Sequence, residues 1–106
     1  MIFKRVSKQI EMEIKNSAQA GTFESSDILV MVEPVAKGSG RDIDLTSSVY
    51  MHYADSINNV IIKVLDKFKI EDVKILAKDK GALDPTIEAR VETAIKRALD
   101  IQEGTL

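Results

Sequence analysis

Val73-Lys-Ile-Leu-Ala-Lys78, the turn Asp79-Lys-Gly81 and the pair Asp84-Pro85 decide the fold class. Val73, Ile75 and Ala77 alternate with Lys74, Leu76 and Lys78, which is the two-residue period of a strand. Beyond Gly81 the period changes. Ile87, Val91, Ala94, Ile95 and Ala98 recur at helical spacing. Asp84 is the expected N-cap, and Pro85 suits the first helical position, where its missing N–H removes no bond. Glu92 and Lys96 form a favourable i,i+4 pair on this helix. Upstream, Tyr53, Ile57, Val60, Ile61, Val64, Leu65 and Phe68 share one face of a longer helix. Ser47 or Ser48 is placed to cap it, and Lys63 and Lys67 near its end complement the helix dipole.

Further upstream the pattern is β-like. Ile28-Leu-Val-Met-Val-Glu33 is rich in β-formers and ends at Pro34, which cannot donate to a ladder. Lys37-Gly-Ser-Gly40 is a turn. Ile43 and Leu45 then alternate with Asp42, Asp44 and Thr46, as in a half-buried strand. The later part of Gln9–Thr22 suits another strand. Met1–Ile14, with Phe3, Val6, Ile10 and Ile14 three and four apart, fits either a short amphipathic helix or a partly ordered tail. The order is strand, strand, strand, helix, strand, helix. This predicts an α+β two-layer sandwich, with about four mostly antiparallel strands and two helices on one face. Ile57, Ile61, Val64, Val91 and Ile95 are expected against the sheet. The expected division is an N-terminal extension over residues 1–11, one domain over 12–100 and a tail over 101–106.

Composition removes several function classes. The 106 residues are one domain's worth, with 44% hydrophobic and 30% charged residues. The net charge of -2 lacks the cationic excess expected of a nucleic-acid binder. There are no cysteines, which excludes disulfides, thiolate metal sites and a cysteine nucleophile. Any thiol chemistry must therefore come from a cofactor. A single histidine, His52, excludes a multi-histidine metal centre. The longest apolar run, Ile28–Val32, is strand-sized and far short of a membrane span. Lys4, Arg5 and Lys8 precede no apolar core of a secretory signal, so a cytoplasmic location is expected.

Catalytic signals are weak. His52 stands in the first helix pattern without a nucleophile or acid partner in a recognisable order. The acid pairs Glu11/Glu13, Asp42/Asp44 and Glu71/Asp72 read as strand-edge or turn charges. Lys78-Asp-Lys-Gly81 is too short and too poor in glycine for a phosphate-binding loop. Asp55-Ser56-Ile57 is similar to the Asp-Ser-Leu attachment motif of ordinary acyl carrier proteins. Those are helical bundles with the serine at a helix start, whereas Ser56 falls within a helix pattern in a chain rich in strands.

Ser25 and Ser26 lie in Ala20-Gly-Thr-Phe-Glu-Ser-Ser-Asp27, a polar break of mostly small residues before the Ile28 strand. Ala20-Gly21-Thr22, Glu24-Ser25 and Asp27 resemble the attachment motif of the citrate lyase acyl carrier protein family, the gamma subunit. The resemblance continues at Ser47-Ser48-Val49, Asp79-Lys-Gly-Ala-Leu-Asp84, Thr86-Ile87, Ala89-Arg90 and Val91-Glu92, and it spans Glu13 to Ala98. It departs at residues 1–11, with Met12 at the usual start, at Pro85, where the family often has cysteine, and at the less charged Tyr50-Met-His-Tyr53.

The resemblance implies a non-catalytic carrier of acetyl and citryl thioesters during cleavage of citrate to oxaloacetate and acetate. It implies phosphoribosyl-dephospho-coenzyme A joined by a phosphodiester to Ser25, with Ser26 as the competing position. Implied partners are the alpha and beta subunits of the lyase, a prosthetic-group transferase and an acetate ligase, with no nucleic acid, membrane or metal. A tethered arm suits this task because it keeps the acyl group at high local concentration. Glu24 and Asp27 would repel an incoming phosphate and are expected to contact the modifying enzyme or a partner subunit. The alternatives are a malonate decarboxylase-type carrier and a small protein-interaction module without a prosthetic group.

Overall fold

The computed structural model describes residues 13–47 and 53–100. The expected extension over 1–11, the tail over 101–106, His52 and the capping candidate Ser48 lie outside these described residues, as does nearly all of Met1–Ile14, the segment read as either a short helix or a partly ordered tail. Its last residue, Ile14, is buried in non-helical backbone.

Four strands and two helices follow in the expected order. They are β1 (Ala18–Gly21), β2 (Ile28–Glu33), β3 (Arg41–Ser47), α1 (Ala54–Lys67), β4 (Val73–Asp79) and α2 (Asp84–Ala98). The sheet order is β1-β2-β4-β3. Antiparallel pairing joins β1 to β2 and β2 to β4. β3 does not pair with β2, and it runs parallel to β4. The sheet is therefore mixed: two of its three pairings are antiparallel, in keeping with the expected mostly antiparallel sheet, and the third is parallel. The physical reason is α1. A helix between β3 and β4 carries the chain back across the sheet, and a crossover of that kind makes adjacent strands parallel.

The strand compositions agree with these places. β4 is central and buries Val73, Ile75, Ala77 and Asp79 on one face. β3 lies at an edge, where Asp42 and Asp44 are exposed and oppose unwanted pairing with another chain. β2 contributes Ile28, Val30 and Val32 to the same face. Ile57, Ile61, Val64 and Leu65 of α1, and Ile87, Val91, Ala94, Ile95 and Ala98 of α2, complete the core. The five residues expected against the sheet are all in this set.

Two details of the helix ends differ from expectation. α2 starts at Asp84, so its N-cap is Leu83, which makes no side-chain capping bond. Pro85 is then the second helical residue and not the first, still within the first turn, where its missing N–H removes no intrahelical bond. The N-cap of α1 is Tyr53, again without a side-chain bond, and Ser47 ends β3 instead. The Ser47 hydroxyl donates to Asp79 at 3.0 Å, which commits it to the sheet. Charge pairing also reaches between helices. Glu92 receives Lys67 at 2.6 Å, and Lys63 lies 3.7 Å from Glu88.

Candidate functional site

The segment between β1 and β2 is a tight, well-anchored turn. Gly21 ends β1 with φ +89, a region that side-chain-bearing residues rarely enter. A Cβ there would collide with the carbonyl oxygen of Ile28. Glycine thus lets the outgoing and returning backbones close together. The N–H of Asp27 donates to the carbonyl of Glu24 at 3.0 Å, which makes Glu24–Asp27 a β-turn. Ser25 and Ser26 are its two central residues. Ser26 has φ +66 and Ser25 does not have a positive φ, the pattern of a type II turn. Both serines are exposed.

Two sets of bonds hold this turn to the body of the protein. Ser26 N–H donates to the Lys80 carbonyl, and Lys80 N–H donates to the Asp27 carbonyl, both at 2.9 Å. These bonds extend the β2–β4 ladder one step past the Ile28–Asp79 pair. The second anchor is the Asp27 carboxylate. It accepts from Arg90 Nε at 3.0 Å, Arg90 Nη2 at 3.2 Å, Thr22 Oγ1 at 2.8 Å and the Ile28 N–H at 2.7 Å. The Arg90 guanidinium, aided by Thr22 and Ile28 and opposed by desolvation, lowers Asp27 from an ordinary pKa of 3.8 to about 2. Asp27 is therefore a neutralised anchor inside the protein, and the expectation that it faces an incoming phosphate or a partner is corrected. Its side chain is only 13% exposed.

The Asp79–Asp84 turn supports the site from the other side. Asp79 is buried and accepts from Ser47 Oγ, from Gly81 N–H at 3.2 Å and from Ala82 N–H at 3.0 Å. It fixes the turn from which Lys80 reaches over. Lys80 Nζ lies 5.0 Å from the centroid of the Phe23 ring. The same turn borders an apolar groove of about 600 Å³, whose walls include Tyr53, Ile57, Leu83, Pro85 and Ile87. Ser56 lines that groove and is the third residue of α1. It therefore sits in the first turn of the helix, closer to the start than its sequence pattern suggests. The mixed sheet nonetheless separates this fold from the helical bundles that carry the Asp-Ser-Leu motif.

Arg90 and Lys80 were legible only as parts of motifs. No single-sequence pattern links Asp27 to a residue 63 positions away. Among the described residues no group of three or more acidic or histidine side chains is placed to hold a metal ion. No described helix is long and apolar enough to cross a membrane.

An exposed serine on a rigid turn beside a sheet suits covalent attachment of an arm. The acyl carrier protein model described as malonate decarboxylase delta subunit (MdcD) matches residues 15–98, so the class of the protein is that of an acyl carrier. Curated relatives are closer in kind. The citrate lyase acyl carrier protein of Oenococcus oeni is 50% identical over 87% of this chain and 93% of its own length. Its counterparts from Lactobacillus helveticus and Edwardsiella ictaluri are 48% and 37% identical, over 87% and 85% of this chain and 93% and 91% of their own lengths. The chain belongs to the citrate lyase acyl carrier protein family, whose members are carriers and not catalysts. The fold also matches a chain in the crystal structure of a Pseudomonas malonate decarboxylase hetero-tetramer in complex with malonate. That match has a TM-score of 0.69 at 21% identity, over 83% of this chain and 89% of the other.

Proposed function

We propose that Ser25 is the attachment residue of this carrier, and that it holds phosphoribosyl-dephospho-coenzyme A through a phosphodiester. The observation that carries this reading is the place of Ser25 at the exposed corner of the Glu24–Asp27 turn. A modifying enzyme needs a reachable hydroxyl on backbone that does not give way, and the bonds to Lys80 and Arg90 supply that rigidity. Ser26 is less suited, because its N–H and its positive φ are both used in closing the turn.

The attached group supplies the thiol that this cysteine-free chain lacks, and so the thioester that activates the acyl unit. The chain's own part is to present the serine oxygen, hold the turn against the sheet and offer docking surfaces. The carrier then serves a citrate lyase complex in the cytoplasm. Its partners there are the alpha subunit, which exchanges acetate for citrate on the arm, and the beta subunit, which releases oxaloacetate. A transferase loads the arm and a ligase acetylates it. Identities of 48–50% to carriers named for citrate lyase support this assignment.

A malonate decarboxylase complex is the second reading, favoured by the description of the matching family model and by the fold neighbour. The test is intact mass and peptide mapping of the protein from its native host, followed by reconstitution with each set of partner subunits. The prosthetic mass is expected on the peptide containing Ser25, with turnover of citrate and not malonate. Ser25→Ala should fold within about 0.5 kcal/mol of the parent and carry no added mass. Full mass on that variant would refute the assignment, and its appearance on Ser26 would move the site by one residue.

A further inference from the structure

We infer that Lys80, poised over Phe23, is the cationic seat for the phosphate that joins the arm to the turn. This rests on the proposed attachment at Ser25. Around the turn the charged groups divide cleanly. Asp27 and Arg90 neutralise each other through two hydrogen bonds. Asp79, next to Lys80 in sequence, is buried and spends its oxygens on Ser47, Gly81 and Ala82. Glu24 makes no ion pair among the described residues, and neither does Lys80. The charge of Lys80 is therefore left for another anion.

Its position is set from both ends. The Lys80 backbone is bonded to Ser26 and Asp27 at 2.9 Å on each side. Its ammonium lies 5.0 Å from the ring of Phe23, two residues before Ser25 in the same loop. A cation–π contact holds an ammonium without neutralising it. A phosphodiester on the Ser25 oxygen adds one negative charge to a loop that already contains Glu24. An ammonium held within that loop offsets it, and charge-assisted hydrogen bonds to phosphate are among the stronger ones available at a surface. The seat also fixes where the arm leaves the protein, because the first phosphate is tied down and the remainder swings beyond it.

The probe is phosphoserine, installed at position 25 by genetic encoding. Its second ionisation, ordinarily near pH ~6, reports the local field by 31P NMR. The charged groups that belong to this turn or are bonded to it are Lys80, Glu24 and the Asp27–Arg90 pair, and of these only Lys80 is changed. With Lys80→Gln the phosphoserine pKa should rise by about half a unit, roughly a threefold change in affinity for the proton. Lys80→Arg should restore the parent value, and Lys74→Gln, near the start of β4, should leave it unchanged. Salt should shrink the difference. Backbone NMR of each unmodified variant checks that the turn has kept its form. In the naturally loaded chain, the phosphodiester 31P resonance should move with Lys80→Gln and stay with Lys80→Arg. Equal phosphoserine pKa values in parent and Lys80→Gln, with the arm mapped to Ser25, would overturn this inference alone. An arm mapped to another residue would overturn the attachment reading and this inference with it.

Discussion

Arg90, in the first half of α2, grips both carboxylate oxygens of Asp27, the last residue of the turn before β2, at 3.0 and 3.2 Å. One helix thus fixes the loop that bears the two serines. The pair is half open to water on the arginine side and largely closed on the aspartate side, at 42% and 13% exposure. Removing the arginine leaves a mostly buried carboxylate that keeps Thr22 and the Ile28 N–H but loses its counter-charge.

Arg90→Ala should accordingly lower stability by about 1–3 kcal/mol, read from the denaturant midpoint. Loading of the folded fraction by the transferase should slow as well, because the turn loses one of its two anchors. Arg90→Lys should recover part of the stability and little of the geometry, since an ammonium does not bind two oxygens as a planar fork does. Loading at the parental rate by Arg90→Ala would show that the ladder bonds to Lys80 suffice.

The same pair sets an acid response. Asp27 titrates at about 2 in the folded protein and near 3.8 unfolded. Between those values the unfolded chain binds more protons, so stability falls as pH falls. The contribution is complete above pH ~4 and is lost on descent toward pH ~2. Allowing for the exposure of Arg90, it amounts to about 1–2 kcal/mol. Asp27→Asn should be less stable at pH 7 and show a flatter stability curve across that window. A parallel curve would place the acid sensitivity on other carboxylates.

Two glycines with the same backbone sign separate strain from collision. Gly21 and Gly38 have φ of +89 and +90. Alanine at 38 would meet nothing within 4 Å, whereas at 21 its Cβ would run into the Ile28 carbonyl. Gly38→Ala should cost about 1 kcal/mol of conformational strain. Gly21→Ala should cost well above that, and hydrogen exchange should quicken at Ile28 and Leu29. Equal melting points for the two variants would contradict the close approach at Gly21.

Asp84 offers a test of a helix end. It lies inside the first turn of α2 and makes no capping bond. Asp84→Ala should therefore lose only the interaction of its charge with the helix dipole, about 0.3–1 kcal/mol, and less in high salt. A larger, salt-independent loss would indicate a true side-chain cap.

Local sequence accounts for the elements and the inward faces. The alternation at Val73–Lys78, the helical spacing at Ile57–Leu65 and Ile87–Ala98, and the polar break at Gly21–Asp27 each follow from local periodicity and turn chemistry, which neighbouring residues set among themselves. The two serines of the Glu24–Asp27 turn were legible for the same reason, because their motif is contiguous. Tertiary structure alone decided the strand order, since β4 enters between β2 and β3 through a crossover that no local pattern encodes. It also decided what the charges around the turn do. Asp27 and Glu24 look alike in sequence, yet Asp27 is held by Arg90 from a helix 63 residues away, while Lys80 is brought over Phe23 by the β2–β4 ladder. Hydrogen bonds and ion pairs of that separation depend on how the sheet and helices pack, and packing is a property of the whole chain.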